Sequence, residues 1–117
     1  MITITKAFEF QSAHHLPKVP EGHKCRNLHG HSYRVEISLS GEVNELGWVV
    51  DFADVESAVV PLLKQIDHRC LNDVVGLENP TAENIVLWFK QHLSLPGMSK
   101  IRVFEESTCW AEWQANL

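Results

Sequence analysis

Apolar and polar residues alternate along two stretches of the first third of the chain, a pattern that predicts two β-strands. The first stretch is residues 2–14, and the second starts at His29 and ends at Gly41. Residues two positions apart in a strand point to the same face of a sheet. One face of each strand is therefore predominantly apolar: Ile2, Ile4, Phe8, Phe10, Ser12 and His14 in the first, and Tyr33, Val35, Ile37 and Leu39 in the second.

The middle of the chain changes to the three- and four-residue spacing of amphipathic helices. A first helix is predicted to begin at the N-cap Asp51 and to bend at Pro61, because proline lacks the N–H that a helix interior needs. A second helix is predicted to begin within residues 79–83, with Pro80 near its first position, and to end at residues 96–97. The apolar stripe of the first helix is Phe52, Val55, Val59, Leu62, Leu63 and Ile66.

Two further strands are predicted near the end of the chain, over residues 100–105 and 109–115, with a short turn between them. The predicted order ββααββ places the chain in the α+β class, with a four-stranded antiparallel sheet and both helices on one face. At 117 residues we expect one domain, residues 1–117. A sheet this narrow has two open edges, so we expect it to be closed by pairing with other copies in an oligomer.

Composition and charge exclude several classes of function. The net charge of −5 argues against binding to nucleic acid or to an anionic membrane surface, since both need a basic patch. No apolar run approaches membrane-spanning length, and the first residues lack the pattern of a signal peptide. The three cysteines form neither a disulfide framework nor a cysteine-rich zinc motif. We therefore expect a cytoplasmic protein with reduced thiols.

Three histidines have the parity of a metal site. His29 and His31 lie two positions apart on the second strand, and His14 lies on the apolar face of the first, whereas the adjacent His15 should face the opposite way. Three histidine ligands with a fourth position open are typical of catalytic zinc. The alternative is that His29 and His31 begin an exposed strand and that His14 is a hydrogen-bonded core residue.

Cysteine and acid–base residues suggest catalysis beside such a metal. Cys25 precedes His29 by four positions, and its neighbours Lys24 and Arg26 favour the nucleophilic thiolate, although most cysteines are inert. Asp67 and His68 follow the first predicted helix as a carboxylate–imidazole pair. Such a pair either caps the helix or relays protons near neutral pH.

A carboxylate is predicted at the end of an apolar strand face. Glu105 shares parity with Ile101 and Val103, whereas Glu106 should point the other way. A buried carboxylate needs a partner, and a ligand with two adjacent N–H groups would pair with it in bidentate fashion. The alternative is a solvated glutamate at a strand end. Thr81 is similarly interpreted either as a helix cap or as a ligand contact.

Together these segments resemble the 6-pyruvoyl-tetrahydropterin synthase family of pterin enzymes, in the order that the family has them. The spacing between Cys25 and His29 resembles the bacterial branch of that family, the 6-carboxy-5,6,7,8-tetrahydropterin synthases of queuosine biosynthesis. Two features depart from the resemblance: His15 stands where the family leads us to expect arginine, and Glu106 follows Glu105. The matching segments are residues 10–14, 25–31, 51–52, 67–68, 79–83 and 103–105.

The resemblance implies a tunnelling fold (T-fold), a homohexamer built as a dimer of trimers, and Zn²⁺ bound by three histidines. It implies a lyase that converts 7,8-dihydroneopterin triphosphate to 6-carboxy-5,6,7,8-tetrahydropterin, with loss of acetaldehyde and triphosphate. The implied roles are metal binding for His14, His29 and His31, catalysis for Cys25, Asp67 and His68, and pterin binding for Glu105 and Thr81.

Three rival interpretations remain at the level of sequence. A 6-pyruvoyl-tetrahydropterin synthase would share the metal, the thiol and the acid–base pair but would stop after triphosphate elimination. A zinc hydrolase would need a general base beside the metal, and no His-Glu-x-x-His motif is present. A non-catalytic zinc- or pterin-binding scaffold would bind metal without requiring Cys25.

Overall fold

A long hairpin of two 13-residue strands forms half of the sheet in a computed structural model that describes residues 1–116. Strand β1 is Ile2–His14 and strand β2 is His29–Gly41, paired antiparallel from Ile2 opposite Gly41 to His14 opposite His29. Strands β3, Met98–Glu106, and β4, Cys109–Gln114, extend the sheet in the order β1-β2-β3-β4, with every neighbouring pair antiparallel. The predicted sheet and strand order are confirmed.

One face of the sheet carries the hydrophobic core. Cross-strand neighbours on this face include Phe10 opposite Tyr33, and Val35 opposite Val103, all of them buried. Helix α1, Phe52–Ile66, and helix α2, Ala82–His92, contribute their buried residues to the same cluster. Both helices therefore pack on one face of the sheet, as the periodicity predicted.

The helix boundaries follow from their caps. Asp51 accepts a hydrogen bond from the backbone N–H of Ala53, which confirms the predicted start of α1. This helix continues through Pro61, and the bend expected there stays a prediction. Helix α2 begins at Ala82, within the predicted range 79–83 but two residues after Pro80. Thr81 is the N-cap, so Pro80 lies outside the helix and not at its first position.

The segment after α2 contains a glycine that the packing requires. The helix ends at His92, before the predicted stop at residues 96–97, and the chain then turns through Gly97 with a φ of +79°. A Cβ at Gly97 would lie 2.8 Å from the carbonyl oxygen of Ser40. Glycine is thus needed both for the left-handed backbone and for the close approach that starts β3 beside β2.

Strands β1 and β4 form the two edges of the sheet. The end of β1 is partly covered, because the N–H of Ala13 donates to the carbonyl of Arg69 at 2.9 Å and Ala13 forms a parallel bridge with Cys70. The predicted closure by other copies stays a prediction. In the described part of the chain, no helix is both long and apolar enough to cross a membrane.

Candidate metal centre and active site

The register of the hairpin brings three histidines together at its open end. His14 lies directly opposite His29, and His31 lies opposite Ser12 one step further along the same face. Directly opposed residues have their Cβ atoms about 5 Å apart, within reach of two imidazole rings. One ligand nitrogen from each of the three histidines lies within 4.8 Å of those of the other two, so the group could hold a metal ion. His15, whose N–H bonds to Asn72, is outside the group.

Two carbonyl groups fix the ring protons of this cluster. A carbonyl oxygen only accepts hydrogen bonds, so the 2.8 Å contact of His14 Nδ1 with Pro80 and the 2.7 Å contact of His29 Nδ1 with Asn27 place a proton on each Nδ1. In the neutral rings both Nε2 atoms then carry lone pairs only, and they lie 3.0 Å apart. Two lone pairs this close repel each other unless a cation lies beside them. The donor set therefore fits a metal bound through Nε2.

Burial keeps the ring of His14 in the neutral form that can bind a metal ion. His14 is 1 % exposed, and this burial lowers its pKa below the usual value, although the hydrogen bond to Pro80 opposes the shift. At neutral pH the ring is therefore uncharged, as a metal ligand must be. The neighbouring Tyr33 is fully buried, and burial together with the nearby Glu105 raises the pKa of its hydroxyl.

A cavity of about 500 Å³ is lined by the three histidines and by Cys25, the predicted catalytic thiol. Cys25 reaches it from a short 3₁₀ turn, Lys24–Arg26, and is partly buried. A thiol and three imidazoles around one space can combine proton transfer with metal chemistry. The cavity is lined by His14, Leu16, Lys24, Cys25, His29, His31, Glu105, Glu106 and Cys109.

Both glutamates at the end of β3 border this cavity. Pairing between β3 and β4 shifts register between Phe104 and Glu106, so a bulge interrupts the strict alternation of side chains. The prediction that Glu106 points away from the site is therefore wrong. Glu105 remains distinct, because it also lines a second cavity of about 570 Å³ that Glu106 does not reach.

The second cavity lies at the start of α2 and shares Leu16, Glu105 and Cys109 with the cavity of the histidines. It is lined by Thr81, Ala82 and Glu83 from the helix and by Glu105 from the sheet. Thr81 Oγ1 accepts the N–H of Asn84 at 3.1 Å, so this residue caps the helix and also borders the cavity. The two interpretations of Thr81 are compatible, and a flat ligand could lie between Glu105 and the helix start.

Asp67 and His68 lie away from Cys25 in the single chain. They flank β1, where Asp67 Oδ1 accepts the N–H of Gln11 at 2.9 Å and the N–H of His68 donates to the carbonyl of Gln11 at 2.6 Å. The bond from Gln11, followed by the one from His68, lowers the pKa of Asp67. His68 Nδ1 lies 3.0 Å from the Asp67 carboxylate, and its side chain is 77 % exposed. Neither residue lines the cavity, and their catalytic role stays a prediction.

Sequence reasoning missed the groups that orient the metal ligands. The carbonyls of Pro80 and Asn27 and the hydroxyl of Tyr33 contact histidine rings, and Asn72 bonds both the N–H and the carbonyl of His15. Main-chain groups in loops leave no signal in a sequence pattern. The parity of Tyr33 with His31 could have indicated that its side chain lies beside the cluster.

Comparison with known proteins identifies the family. Residues 3–116 match the 6-pyruvoyl tetrahydropterin synthase family. The chain belongs to this family. This confirms the predicted membership of a family of pterin enzymes and the prediction that the protein is a lyase.

Individual relatives support the family assignment. A 6-carboxy-5,6,7,8-tetrahydropterin synthase of Synechocystis is 39 % identical over 97 % of this chain and 93 % of its own length. A dihydroneopterin monophosphate aldolase of Pyrococcus furiosus is 37 % identical over 77 % and 75 %. The solved structure of 6-pyruvoyl tetrahydropterin synthase from Caenorhabditis elegans superposes with a TM-score of 0.86 at 26 % identity, covering 98 % and 96 % of the two chains. The predicted T-fold is therefore confirmed.

Metal binding should depend on His14 and not on its neighbour. We expect the wild-type protein to bind about one zinc ion per chain and the His14→Ala variant to bind less than about a tenth of that, because one of only three ligands is lost. Elemental analysis after dialysis measures both. The matched control His15→Ala removes the adjacent imidazole and should keep full metal content; full content in His14→Ala would contradict the site.

Proposed function

We propose that this protein converts 7,8-dihydroneopterin triphosphate to 6-carboxy-5,6,7,8-tetrahydropterin with release of acetaldehyde and triphosphate, as a zinc-dependent step of queuosine biosynthesis in the cytoplasm. One observation carries the proposal: the three histidines and Cys25 share a cavity, and Glu105 joins it to a second cavity large enough for a bicyclic ring. The Synechocystis relative, which bears the name of this activity, supports it over nearly the full chain.

His14, His29 and His31 would hold the zinc ion through their Nε2 atoms, which the contacts of His14 and His29 with carbonyl oxygens leave free in those two rings. When bound, zinc supplies a Lewis acid that polarises the oxygens of the substrate side chain. The choice of zinc follows from the ligands, because three imidazoles with an open position suit this ion.

Cys25 would accept a proton from the substrate side chain. Its place in the wall of the metal cavity brings the thiol beside the position where the polarised carbon chain would lie. Lys24 lines the same cavity and adds a positive charge to its wall. The thiol and the metal would then act on the same carbon chain from neighbouring positions.

Asp67 and His68 would complete proton transfer from a neighbouring chain. The carboxylate accepts from His68 Nδ1, so this nitrogen carries the proton and the exposed Nε2 is available to a partner. The pair covers the Gln11 end of the edge strand β1, and in the homohexamer that we propose another copy would pair with the uncovered part of that edge. The active sites would therefore form at subunit boundaries.

Glu105 would hold the pterin ring by its 2-amino and N3–H edge, and Thr81 would lie beside it. The shared wall of the two cavities is where such an anchor could place the ring in one cavity and its side chain over the metal in the other. Fixing the substrate in this way contributes to catalysis by orientation.

Two related activities are the competing proposals. A 6-pyruvoyl-tetrahydropterin synthase would use the same cavity and stop after triphosphate elimination, and the Caenorhabditis elegans structure carries that name. An aldolase acting on dihydroneopterin monophosphate is suggested by the Pyrococcus furiosus relative, at 37 % identity. All three activities act on a dihydropterin and could use the same two cavities, so the reaction products must distinguish them.

Product analysis tests the proposal directly. The zinc-loaded protein, incubated with 7,8-dihydroneopterin triphosphate, should yield 6-carboxy-5,6,7,8-tetrahydropterin and acetaldehyde in equal amounts, measured together by chromatography and aldehyde trapping. A pyruvoyl product without acetaldehyde would overturn the proposal in favour of the first competitor. In a parallel incubation, turnover of dihydroneopterin monophosphate alone, with release of a phosphorylated two-carbon aldehyde, would favour the aldolase.

Removal of the cavity thiol should stop catalysis without removing the metal. We expect Cys25→Ala to lower kcat by at least about 100-fold, since a positioned acid–base group contributes that much or more. Zinc content should stay unchanged, because Cys25 is outside the metal-binding group.

The Cys25 experiment has a matched control in Cys70→Ala. Cys70 is also partly buried, but it lies outside the metal cavity, beside Asn72. This variant should keep kcat within about twofold. If Cys25→Ala retained wild-type turnover, the thiol would have no part in the reaction.

The two neighbouring glutamates should differ in their effect on substrate binding. Glu105→Gln should lower kcat/KM by about 10- to 100-fold, the loss expected when charge-assisted hydrogen bonds become neutral. Glu106→Gln makes the same isosteric change outside the second cavity and should stay within about threefold. Steady-state kinetics with a pterin substrate measures both, and a larger loss for Glu106→Gln would move the anchor to that residue.

A further inference from the structure

Tyr33 is held rigidly beside the metal cluster by the core. Its side chain is fully buried, and its ring stacks on Phe10 with centroids 4.8 Å apart and an angle of 7° between the planes. Phe10 in turn contacts Phe89 of α2 at a centroid distance of 6.3 Å. Phe10 covers one face of the tyrosine ring, and the rings of His14 and His31 approach its edge with centroids 5.9 and 5.4 Å away, so close packing restricts reorientation of the ring. The hydroxyl is thus delivered to one fixed position.

The hydroxyl lies beside Nδ1 of His14, on the side of the imidazole ring away from Nε2. The Tyr33 oxygen lies 3.2 Å from Nδ1 of His14, the ring nitrogen that also contacts the Pro80 carbonyl at 2.8 Å. Because this nitrogen donates its one proton, the tyrosine oxygen accepts it jointly with the carbonyl, in a three-centre hydrogen bond. In the described structure this is the single hydrogen bond of the tyrosine hydroxyl. A buried hydroxyl without a hydrogen-bond partner is costly, so the bond that the tyrosine oxygen accepts favours this arrangement of both rings.

Two contacts restrain the His14 ring better than one. The second side-chain torsion of histidine has broad energy wells, so the ring itself does not determine where Nε2 points. A single bond to Pro80 would allow the plane to swivel about the N–H···O direction. A second partner on a different element, β2, removes this freedom and keeps Nε2 directed toward His29, 3.0 Å away.

We infer that Tyr33 is a positioning residue, whose hydroxyl raises the affinity of the site for its metal by fixing the orientation of His14. The inference rests on the metal-binding part of the proposed function and concerns affinity, not the identity of the reaction. Groups that contact the outer nitrogen of a metal-bound histidine typically change metal affinity by about 10- to 100-fold.

The test is metal affinity of the variant Tyr33→Phe, which keeps the ring and its stacking on Phe10 and removes only the hydroxyl. Zn²⁺ is titrated into metal-free protein in competition with a chromophoric chelator, without any pterin. We expect the Kd for zinc to rise about tenfold, the lower end of the range for such groups. The Co²⁺-loaded variant should also show altered visible absorption bands, because the ligand geometry changes.

A matched control separates positioning from a general loss of stability. Ile101→Val removes one buried methylene from the same core, but Ile101 pairs with Ile37, away from the histidines. It should lower the melting temperature and leave the zinc Kd and the Co²⁺ spectrum unchanged. A Tyr33→Phe protein with a zinc Kd within twofold of wild type would overturn the inference, and so would an equal weakening by Ile101→Val.

This result is independent of the product assay. If zinc binds and Tyr33→Phe weakens it, the inference stands whichever pterin product the enzyme makes. If product formation is as proposed and the Kd does not change, the proposed function stands and the role of Tyr33 is rejected.

Discussion

The pairing register of β1 with β2 is the constraint on which the rest of the molecule depends. A shift by one residue would move every side chain of a strand to the other face of the sheet. In the observed register, Phe10 lies opposite Tyr33 in the core, and four residues further along β1, His14 lies opposite His29. The register that packs the apolar face of the hairpin therefore also brings the histidines together. Burial of the apolar side chains is favourable, and it offsets the free-energy cost of removing the histidines from water.

The surroundings of the ligands explain why this polar cluster is tolerated beside the core. His14 and His29 each donate one N–H to a carbonyl oxygen, which satisfies the donor and turns the remaining lone pair toward the common centre. The two carbonyls belong to the segments before α2 and before β2, so both are fixed by secondary structure on either side. The main chain, together with the histidines, therefore shapes a donor set that could hold a cation. A designed site with the same three histidines and no such acceptors would bind metal less well.

Sequence patterns predicted those features that repeat with the period of a secondary structure. The alternation along the strands located His14 on the buried face and placed His29 and His31 beside each other. The alternation gave the wrong direction for Glu106, because a bulge interrupts the two-residue period there and no residue type in the sequence marks that bulge. It also could not find the contact between Tyr33 and His14, since the torsion of one ring and the path of a loop decide it. The elements and the ligand set could be predicted, whereas the groups that tune the ligands required coordinates.

His68 of the acid–base pair adopts a backbone conformation that usually favours glycine. Just after α1, His68 has a φ of +56°, and no other non-glycine residue in the described chain has a positive φ. Such a conformation costs about 1–3 kcal/mol in a non-glycine residue. In return, the N–H of His68 bonds Gln11 of β1, and its ring reaches Asp67 and leaves Nε2 exposed. Among residues 1–116, that nitrogen has no hydrogen-bond partner. If the pair serves a site on another copy, as we propose, the strain has a functional reason, because the conformation holds the ring beside Asp67 with Nε2 directed to solvent.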